Sequence, residues 1–313
     1  MEFVELTEEE RGFSSVFAKR IAPEAEALET ARNRAKESRK RRWMIGGVLS
    51  VAAGIGVGYA IGGEGSLMWP VLLVLLFGAA ISTAWGARAG KSYSDIFRKR
   101  VLPVVAEWQG IEYHDVTGAD ARTLLTTMRE LKLVDLYREA ELADRLSGSH
   151  RDVAFDLVKA HLHGTGENGD RWSDLLLTLS IHAPPPCPIF IGGDFADFGP
   201  QRRDRREVEI DHPAFARRFK VWAQDPQAAR AYLPAAFLDT LVDVAERFDP
   251  GEHRQIRAVF HDDRFLLKIK CDDADFLALP GLHEDPDLLD TRLRTLIRDI
   301  GLPRRLIDRL LDT

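Results

Sequence analysis

Two long uncharged stretches dominate the hydrophobic pattern of the chain, and a single charged residue, Glu64, separates them. The first runs from Trp43 to Gly63 and the second from Gly65 to Ala87. Each is long enough to form a helix that crosses a bilayer, because about 20 apolar residues at about 1.5 Å each span the hydrocarbon core. The link between them leaves room only for a tight turn. The pattern therefore predicts a transmembrane helical hairpin over residues 43–87.

Basic residues flank both predicted spans. They are Arg32, Arg34, Lys36, Arg39, Lys40, Arg41 and Arg42 before the first span and Arg88, Lys91, Arg98, Lys99 and Arg100 after the second. Cytoplasmic segments next to membrane spans carry an excess of Lys and Arg. We therefore expect both termini on the cytoplasmic side.

Small residues recur at every fourth position in the two predicted spans and form a stripe along each helix. They are Gly46, Ser50, Gly54, Gly58 and Gly62, followed by Gly78, Ser82, Gly86 and Gly90. Such stripes let two helix backbones approach closely. Two interpretations stay open: the stripes close the hairpin, or they join protomers into a homo-oligomer. Because neither span contains an acidic or basic residue, we do not expect an ion pathway lined by charges.

The residues before the first span have the pattern of a charged amphipathic helix. Thr7-Glu8-Glu9-Glu10 has the Ser/Thr-x-x-Glu form of a capping box, and apolar residues follow at helical spacing. We predict a helix over residues 7–42 with a kink or break at Pro23, because proline interrupts helical hydrogen bonding. The apolar stripe of this helix needs cover, which we expect from the cytoplasmic domain or from a neighbour's helix.

After the second span the pattern changes twice. A stalk helix is predicted over residues 94–108, kinked at Pro103, and a further helix over 119–131. Apolar and polar residues then alternate with a period of two, which is typical of strands. Predicted hairpins have their arms at 140–146 and 153–157, around a Ser147-Gly148-Ser149 turn, and at 256–260 and 265–271. Predicted single strands lie at 175–182, 189–191, 207–210 and 219–223, and predicted helices lie at 226–232, from Pro234 onward, at 286–300 and at 304–311.

This order of elements predicts an α+β fold, a two-helix transmembrane hairpin plus a cytoplasmic antiparallel-sheet domain with helices on one face. The predicted divisions are an amphipathic cytoplasmic helix at 1–42, the hairpin at 43–87, a stalk with connecting helices at 88–135 and the α+β domain at 136–313.

Charge and cysteine content limit the possible partners and the chemistry. The net charge is −6 although a dozen basic residues cluster beside the predicted spans, so the remainder of the chain is acidic. An acidic surface argues against nucleic acid as a partner. The two cysteines, Cys187 and Cys271, both fall in the part assigned to the cytoplasm, where disulfides are rare, and we expect both to be reduced.

Four residues raise the question of a zinc site. His161 and His163 share one face of a predicted strand, His182 ends another strand, and Cys187 follows closely. Structural zinc sites have tight, paired ligand spacing, which these four residues lack. We therefore predict no metal site.

Other candidates for chemistry are better explained by structure. Ile191-Gly192-Gly193-Asp194 has neither the lysine nor the following helix that a phosphate-binding loop requires. The acidic pairs Asp262-Asp263 and Asp272-Asp273 fall at a hairpin tip and a strand end, as expected for solvated turns. We predict no catalytic residue and no cofactor-binding residue.

A basic run in the predicted domain admits two interpretations. It consists of Arg202, Arg203, Arg205 and Arg206. A solvated loop is the simpler interpretation. The alternative is contact with anionic lipid, since each basic residue near a cytoplasmic leaflet contributes about 1 kcal/mol of attraction.

One motif resembles a known family. It comprises Asp211-His212-Pro213, Phe215, Arg218-Phe219, Val221, Asp225-Pro226, Ala229-Arg230 and Leu233, followed by a Phe237-Leu238 helix. It resembles the cytoplasmic part of the uncharacterised bacterial membrane protein family numbered 3137 among the domains of unknown function. The resemblance is most specific over residues 207–311 and departs from the family pattern at Pro184–Arg206. It implies a multi-pass protein of the bacterial inner membrane and carries no known activity. Independently of the resemblance, the residue pattern of the motif predicts a strand-to-helix corner with Asp225 as a helix cap.

Together these features favour a membrane-anchored interaction or scaffold module over an enzyme. The expected partners are the lipid bilayer, a protein of unknown identity and other copies of the chain through the glycine-rich spans. The alternatives are a membrane-bound enzyme whose site is not visible in the sequence and a small oligomeric pore built on the glycine stripes.

Overall fold

The structure is a computed structural model that describes residues 2–60, 98–114, 119–165, 170–193, 204–248, 256–271, 276–277 and 289–311. The chain divides into two compact units. Unit 1 comprises Met1–Val104 and Leu279–Leu293, and unit 2 comprises Val105–Ala278 and Arg294–Thr313.

Unit 1 is helical over its described N-terminal part. A 3-10 turn at Glu8–Glu10 leads to α1 (Phe13–Val16), a π-helical turn (Phe17–Ile21) and the long helix α2 (Ala22–Ala60). The predicted break at Pro23 is absent, because Pro23 lies in the first turn of α2 and the wider π turn directly before it accommodates a residue that has no N–H.

The N-terminal arm folds back on the start of this helical segment. The Phe3 ring packs edge-on against Phe13, with ring centroids 4.9 Å apart, and all of Phe3, Phe13 and Phe17 are buried. The predicted capping box does not form, because Thr7 makes no side-chain cap. Instead the Glu10 carboxylate accepts a hydrogen bond from the backbone N–H of Leu6 at 2.7 Å.

The structure corrects the predicted transmembrane hairpin. Across the described ranges, no helix combines the length and the apolar character that a bilayer crossing requires. Helix α2 carries charged residues throughout its first half. The predicted fold class is therefore wrong, and so is the multi-pass inner-membrane location. The second predicted span, 65–87, lies outside the described residues.

Unit 2 contains a nine-stranded sheet in the order β1-β2-β3-β4-β9-β8-β5-β7-β6, with every neighbouring pair antiparallel. The strands are β1 (Glu112–His114), β2 (Tyr137–His150), β3 (Val153–Gly164), β4 (Arg171–Ser180), β5 (Ile189–Gly192), β6 (Arg206–Val208), β7 (Lys220–Ala223), β8 (Ile256–His261) and β9 (Arg264–Cys271). Strands β1 to β4 are neighbours in chain order, but β4 then pairs with β9, and the β8–β9 hairpin lies between β4 and β5.

Seven more described helices complete the chain. They are α3 (Leu102–Trp108), α4 (Ala119–Glu130), α5 (Pro213–Ala216), α6 (Pro226–Tyr232), α7 (Ala235–Phe248), α8 (Leu289–Ile300) and α9 (Leu302–Leu311). Helices α3 and α8 each have residues in both units. Asp225 caps α6 as predicted, since its carboxylate accepts from the backbone N–H groups of Gln227 and Ala228.

Helices pack on both faces of the sheet, which corrects the predicted arrangement on one face. On one face, α4 contributes Leu124, Leu125 and Met128 to a core shared with Val259 and Leu266. On the other face, the Phe237 ring of α7 lies 5.5 Å from Phe260 and 5.3 Å from Phe265. Phe260 and Val259 are adjacent in β8, and adjacent strand residues point to opposite faces. The strands are therefore buried from both sides.

The two predicted hairpins are present, with one change of turn. The β8–β9 hairpin turns at Asp262-Asp263 as expected. The β2–β3 hairpin does not turn at Ser147-Gly148-Ser149, because those residues belong to β2 and pair with β3. The turn is at Arg151-Asp152, whose φ angles of 50° and 66° are those of a type I′ turn. This turn matches the strand twist and extends both arms of the hairpin.

Candidate functional site

The most unusual side chains of the sheet are four charged groups on the face that α4 covers, which we call the buried charge cluster. It comprises Asp174 on β4, Lys268 on β9, Arg257 on β8 and Asp135 on the segment between α4 and β2. Asp174 and Lys268 have fully buried side chains, with exposed fractions of 0% and 1%. Charged residues are rarely buried so completely unless they are paired.

Asp174 and Lys268 form the inner pair of the cluster. The Lys268 Nζ lies 3.4 Å from Asp174 Oδ1, and the Trp172 indole N–H donates to Asp174 Oδ2 at 3.2 Å. Burial raises the pKa of the Asp174 carboxyl and lowers the pKa of the Lys268 ammonium, while each partner's charge opposes the change. Perturbed groups of this kind occur at active sites. Here both side chains are sealed from solvent, so the pair is not open to a substrate.

Arg257 and Asp135 form the outer pair and fasten a connecting segment to the sheet. The Arg257 Nη1 donates to Asp135 Oδ1 at 2.8 Å and to the Leu133 carbonyl at 3.3 Å. Burial acts to raise the pKa of the Asp135 carboxyl, but the hydrogen bond and charge of Arg257 outweigh it and hold that pKa below its ordinary value. Arg257 therefore ties the segment after α4 to β8.

A second buried carboxylate, Asp299 on α8, joins elements that are distant in the sequence. Arg247 on α7 donates to its Oδ1, and the backbone N–H of Leu277 donates to its Oδ2 at 2.9 Å. Burial raises the pKa of the Asp299 carboxyl to about 6, against the opposing charge of Arg247. Leu277 has a positive φ of 49°, so this hydrogen bond holds a segment with a strained backbone.

The strand-to-helix corner predicted from the Asp211–Leu233 motif is present, with one feature that the sequence interpretation missed. His212 caps α5 with its Nδ1, which accepts from the backbone N–H of Phe215 at 3.2 Å. Its Nε2 lies 2.9 Å from Asp239 Oδ1 on α7. The signal was present in the sequence, because His212 directly precedes Pro213, and proline favours the first position of a helix.

The structure does not bring the zinc candidates together. The His161 Nδ1 lies 2.9 Å from the Ser173 hydroxyl, and His163 follows on the same face of β3. Within the described part of the chain, no group of three or more His, Cys, Asp or Glu residues is arranged to hold a metal ion. The described cysteines, Cys187 and Cys271, are not joined in a disulfide. The absence of zinc stays a prediction.

The remaining candidates lie at the surface or outside the described residues. Asp262 and Asp263 form the exposed tip of the β8–β9 hairpin. Arg205 places its guanidinium 3.5 Å from the centroid of the Phe190 ring, and burial lowers its pKa. Arg202 and Arg203, the acidic pair Asp272-Asp273, and Asp194 of the glycine-containing turn lie outside the described residues.

Sequence analysis also missed the buried charge cluster, although a signal for it existed. Asp174 directly precedes the run Leu175-Leu176-Leu177, and Lys268 interrupts the run Phe265–Ile269. A charged residue within a strand that is buried on both faces must be paired. One acidic and one basic residue in two such strands therefore point to each other.

Unit 1 exposes large apolar side chains on α2, which we call the exposed apolar segment. It comprises Trp43, Met44, Ile45, Val48 and Leu49, with exposed fractions between 40% and 69%. Within the segment, the Ser50 hydroxyl donates to the Gly46 carbonyl at 2.6 Å, so its polar group is satisfied by its own helix. Contiguous exposed apolar residues mark interaction sites more often than scattered ones do.

Comparison with known proteins bears on the C-terminal part of the chain. No curated protein and no solved structure matches the chain. Residues 191–311, from β5 to the end of α9, match the model of the family described as "Protein of unknown function (DUF3137)", which confirms the resemblance seen in the Asp211–Leu233 motif.

Proposed function

We propose that this protein is an interaction module that self-associates through the exposed apolar segment of α2. The observation that carries the proposal is the exposure of five large apolar side chains within seven consecutive residues of one helix. Full burial of one such aliphatic side chain contributes about 1.5 to 3 kcal/mol, so a partner that covers several of them gains enough free energy for stable association.

The small residues of the segment favour a second helix of the same chain as the occupant. Gly46 and Ser50 are one helical turn apart, and the spacing continues in the sequence at Gly54 and Gly58. Gly46 and Ser50 are half-buried, and the neighbouring face of the helix, at Gly47, is exposed. A Cβ placed on Gly47 would meet no described atom within 4 Å. Small residues let two helices approach closely, while the large apolar residues beside them supply the buried area.

The buried charge cluster gives less support to the enzyme alternative. Burial shifts the pKa values of both Asp174 and Lys268, but both side chains are almost completely buried. A catalytic group must touch its substrate, and a fully buried ion pair is well explained by structure.

Sedimentation velocity of the full chain over a range of concentrations tests the proposal. We expect a reversible dimer whose dissociation constant increases by at least about tenfold in Val48→Glu, because the carboxylate would be buried in an apolar contact. The matched control is Leu136→Glu, since Leu136 is as exposed as Val48 but lies outside the segment. A monomeric wild-type protein at all concentrations, or equal effects of the two substitutions, would overturn the proposal.

A further inference from the structure

Over much of its length, the outer edge of β2 has no partner strand among the described residues. Strand β1 pairs only with Arg145, Leu146 and Ser147 of β2. Among the described strands, none borders β2 on this side over the seven residues Tyr137–Ala143, which we call the open edge. In an antiparallel strand, alternate residues direct their N–H and C=O groups toward the neighbouring position, so this stretch presents unused backbone groups.

A bulge marks the boundary between the paired and the open part of β2. Asp144 has a φ of 50°, and the register of β2 against β3 shifts between Ala143 and Arg145. The Tyr113 hydroxyl of β1 donates to Asp144 Oδ1 at 2.8 Å. Strand β1 is thereby fastened at the bulge, and the open edge begins where this contact ends.

The open edge is exposed and has the geometry of a strand acceptor. Arg138, Glu139, Ala140 and Glu141 are exposed, and the stretch contains neither proline nor glycine. The register against β3 shifts between Tyr137 and Glu139, so the regular part of the open edge runs from Glu139 to Ala143 and is long enough to pair with a segment of about five residues. Because β3 already holds the inner side of this part, little ordering would accompany binding.

The charges of the open edge select its partner. Glu139 and Glu141 lie on one face of the sheet, opposite His163 and His161 of β3, while Ala140 and Leu142 lie on the other face. Glu139 has one exposed ion pair, with Arg138 at 3.0 Å, and such pairs contribute little. A second copy fits poorly, because antiparallel registers centred on Glu139, Ala140 or Glu141 place a glutamate directly opposite a glutamate.

We propose that the open edge of β2 binds an extended basic segment of a partner protein as an added antiparallel strand. The partner strand carries Lys or Arg at two positions separated by one residue, facing Glu139 and Glu141. Small or β-branched apolar residues alternate with them and face Ala140 and Leu142. Backbone hydrogen bonds supply affinity and the alternating side chains supply specificity. This surface is independent of the exposed apolar segment of α2.

Fluorescence anisotropy with a labelled synthetic peptide, Thr-Lys-Val-Lys-Val-Lys-Thr, tests the charge requirement on the full chain. We expect the double variant Glu139→Lys/Glu141→Lys to bind this peptide at least about tenfold more weakly and to gain affinity for the matching peptide with Glu in place of Lys. The control Glu209→Lys/Asp243→Lys changes the net charge equally at exposed positions, one of them beside β6 at the opposite end of the strand order. No binding by the wild-type protein, or equal losses in both double variants, would overturn the proposal.

Backbone methylation of the same peptide tests strand pairing separately from charge. Two peptides are compared. One carries N-methyl groups on the first, third, fifth and seventh residues, and the other carries them on the second, fourth and sixth. We expect one set to weaken binding by at least about tenfold, since it removes the donors of the added strand, and the other set to have little effect. Equal binding of both peptides would reduce the contact to electrostatic attraction and refute strand addition. Repeating the titration on Val48→Glu separates this result from self-association, because peptide affinity should not change there.

Discussion

Two of the buried carboxylates of unit 2, Asp174 and Asp299, differ in what they connect. Asp174 pairs with Lys268 on the adjacent strand, and hydrogen bonds between β4 and β9 already join those strands. Asp299 connects α7 through Arg247 and the Leu277 segment through a backbone N–H. The first carboxylate therefore adds to a contact that exists without it, whereas the second supplies hydrogen bonds between segments that otherwise meet through apolar side chains such as Phe248 and Phe276.

The two sites also differ in how well the carboxylate is satisfied. Asp299 accepts hydrogen bonds on both oxygens, while Asp174 Oδ1 has only the Lys268 ammonium at 3.4 Å and no hydrogen-bond partner. Buried ion pairs with incomplete hydrogen bonding can be replaced by apolar residues at little cost. Burial alone therefore does not decide how much a charged group contributes to stability. The number of separate segments that the group joins has the larger influence.

The largest expected effect is that of Asp299→Leu. This substitution leaves the Arg247 guanidinium mostly buried and the Leu277 N–H without an acceptor, so we expect a loss of about 3 to 5 kcal/mol in the free energy of unfolding. Chemical denaturation of the full chain measures it. The double variant Asp299→Leu/Arg247→Leu should stay destabilised, because the Leu277 N–H remains unsatisfied. Recovery to wild-type stability in that double variant would show that the two buried carboxylates are equivalent.

The Asp174 site should respond differently to the same kind of replacement. Lys268→Met alone leaves a buried carboxylate without its cation, and we expect a loss of about 3 kcal/mol. Adding Asp174→Leu removes the isolated charge and should restore most of that loss, since both residues then suit an apolar strand interior. A double-mutant cycle from denaturation midpoints measures the recovery. A double variant less stable than Lys268→Met would contradict the argument.

The smallest expected effect is a pH dependence that comes from Asp299. Its folded pKa of about 6 lies above the ordinary value of 3.8, so between these values the folded state binds a proton that the unfolded state has lost. This contribution to stability is present below about pH 4 and is lost as the pH rises through 6. Asp299→Asn keeps an acceptor for Leu277 but does not titrate. We expect the stability of the wild type to fall by up to about 3 kcal/mol relative to this variant between pH 4 and 7, measured by thermal unfolding. Parallel profiles for the two proteins would exclude Asp299 as the source.

Local patterns predicted the local elements of unit 2. Alternating residues identified the β2–β3 and β8–β9 hairpins, and Asp225-Pro226 identified the start of α6. Strand alternation and helix caps depend only on residues that are close in the sequence, so the sequence alone can predict them. The β2–β3 turn was misplaced because Ser147-Gly148-Ser149 resembles a turn, while Arg151-Asp152 adopts positive φ angles without glycine.

Long-range features were beyond the reach of these patterns. The transmembrane hairpin was inferred from hydropathy alone, although α2 begins 21 residues before Trp43 and is charged through that part. The pairing of β4 with β9, and the packing of helices on both faces, depend on contacts between distant segments. The same holds for the Asp299 site, whose partners Arg247 and Leu277 are distant in the sequence, whereas charged residues in buried strands did signal the Asp174–Lys268 pair.

The position of the β8–β9 hairpin between β4 and β5 has a consequence for the order of folding. Strands β1 to β4 and the β8–β9 hairpin can each form from neighbouring residues. Joining them requires Ser180 to meet Arg264, and that contact closes a loop of roughly 80 residues. Non-local strand pairing is slow because the chain entropy is lost before the contacts form. We therefore expect the β4–β9 junction to be a slow step in the folding of unit 2, and until it forms, the leucine-rich edges of β4 and β9 stay unpaired.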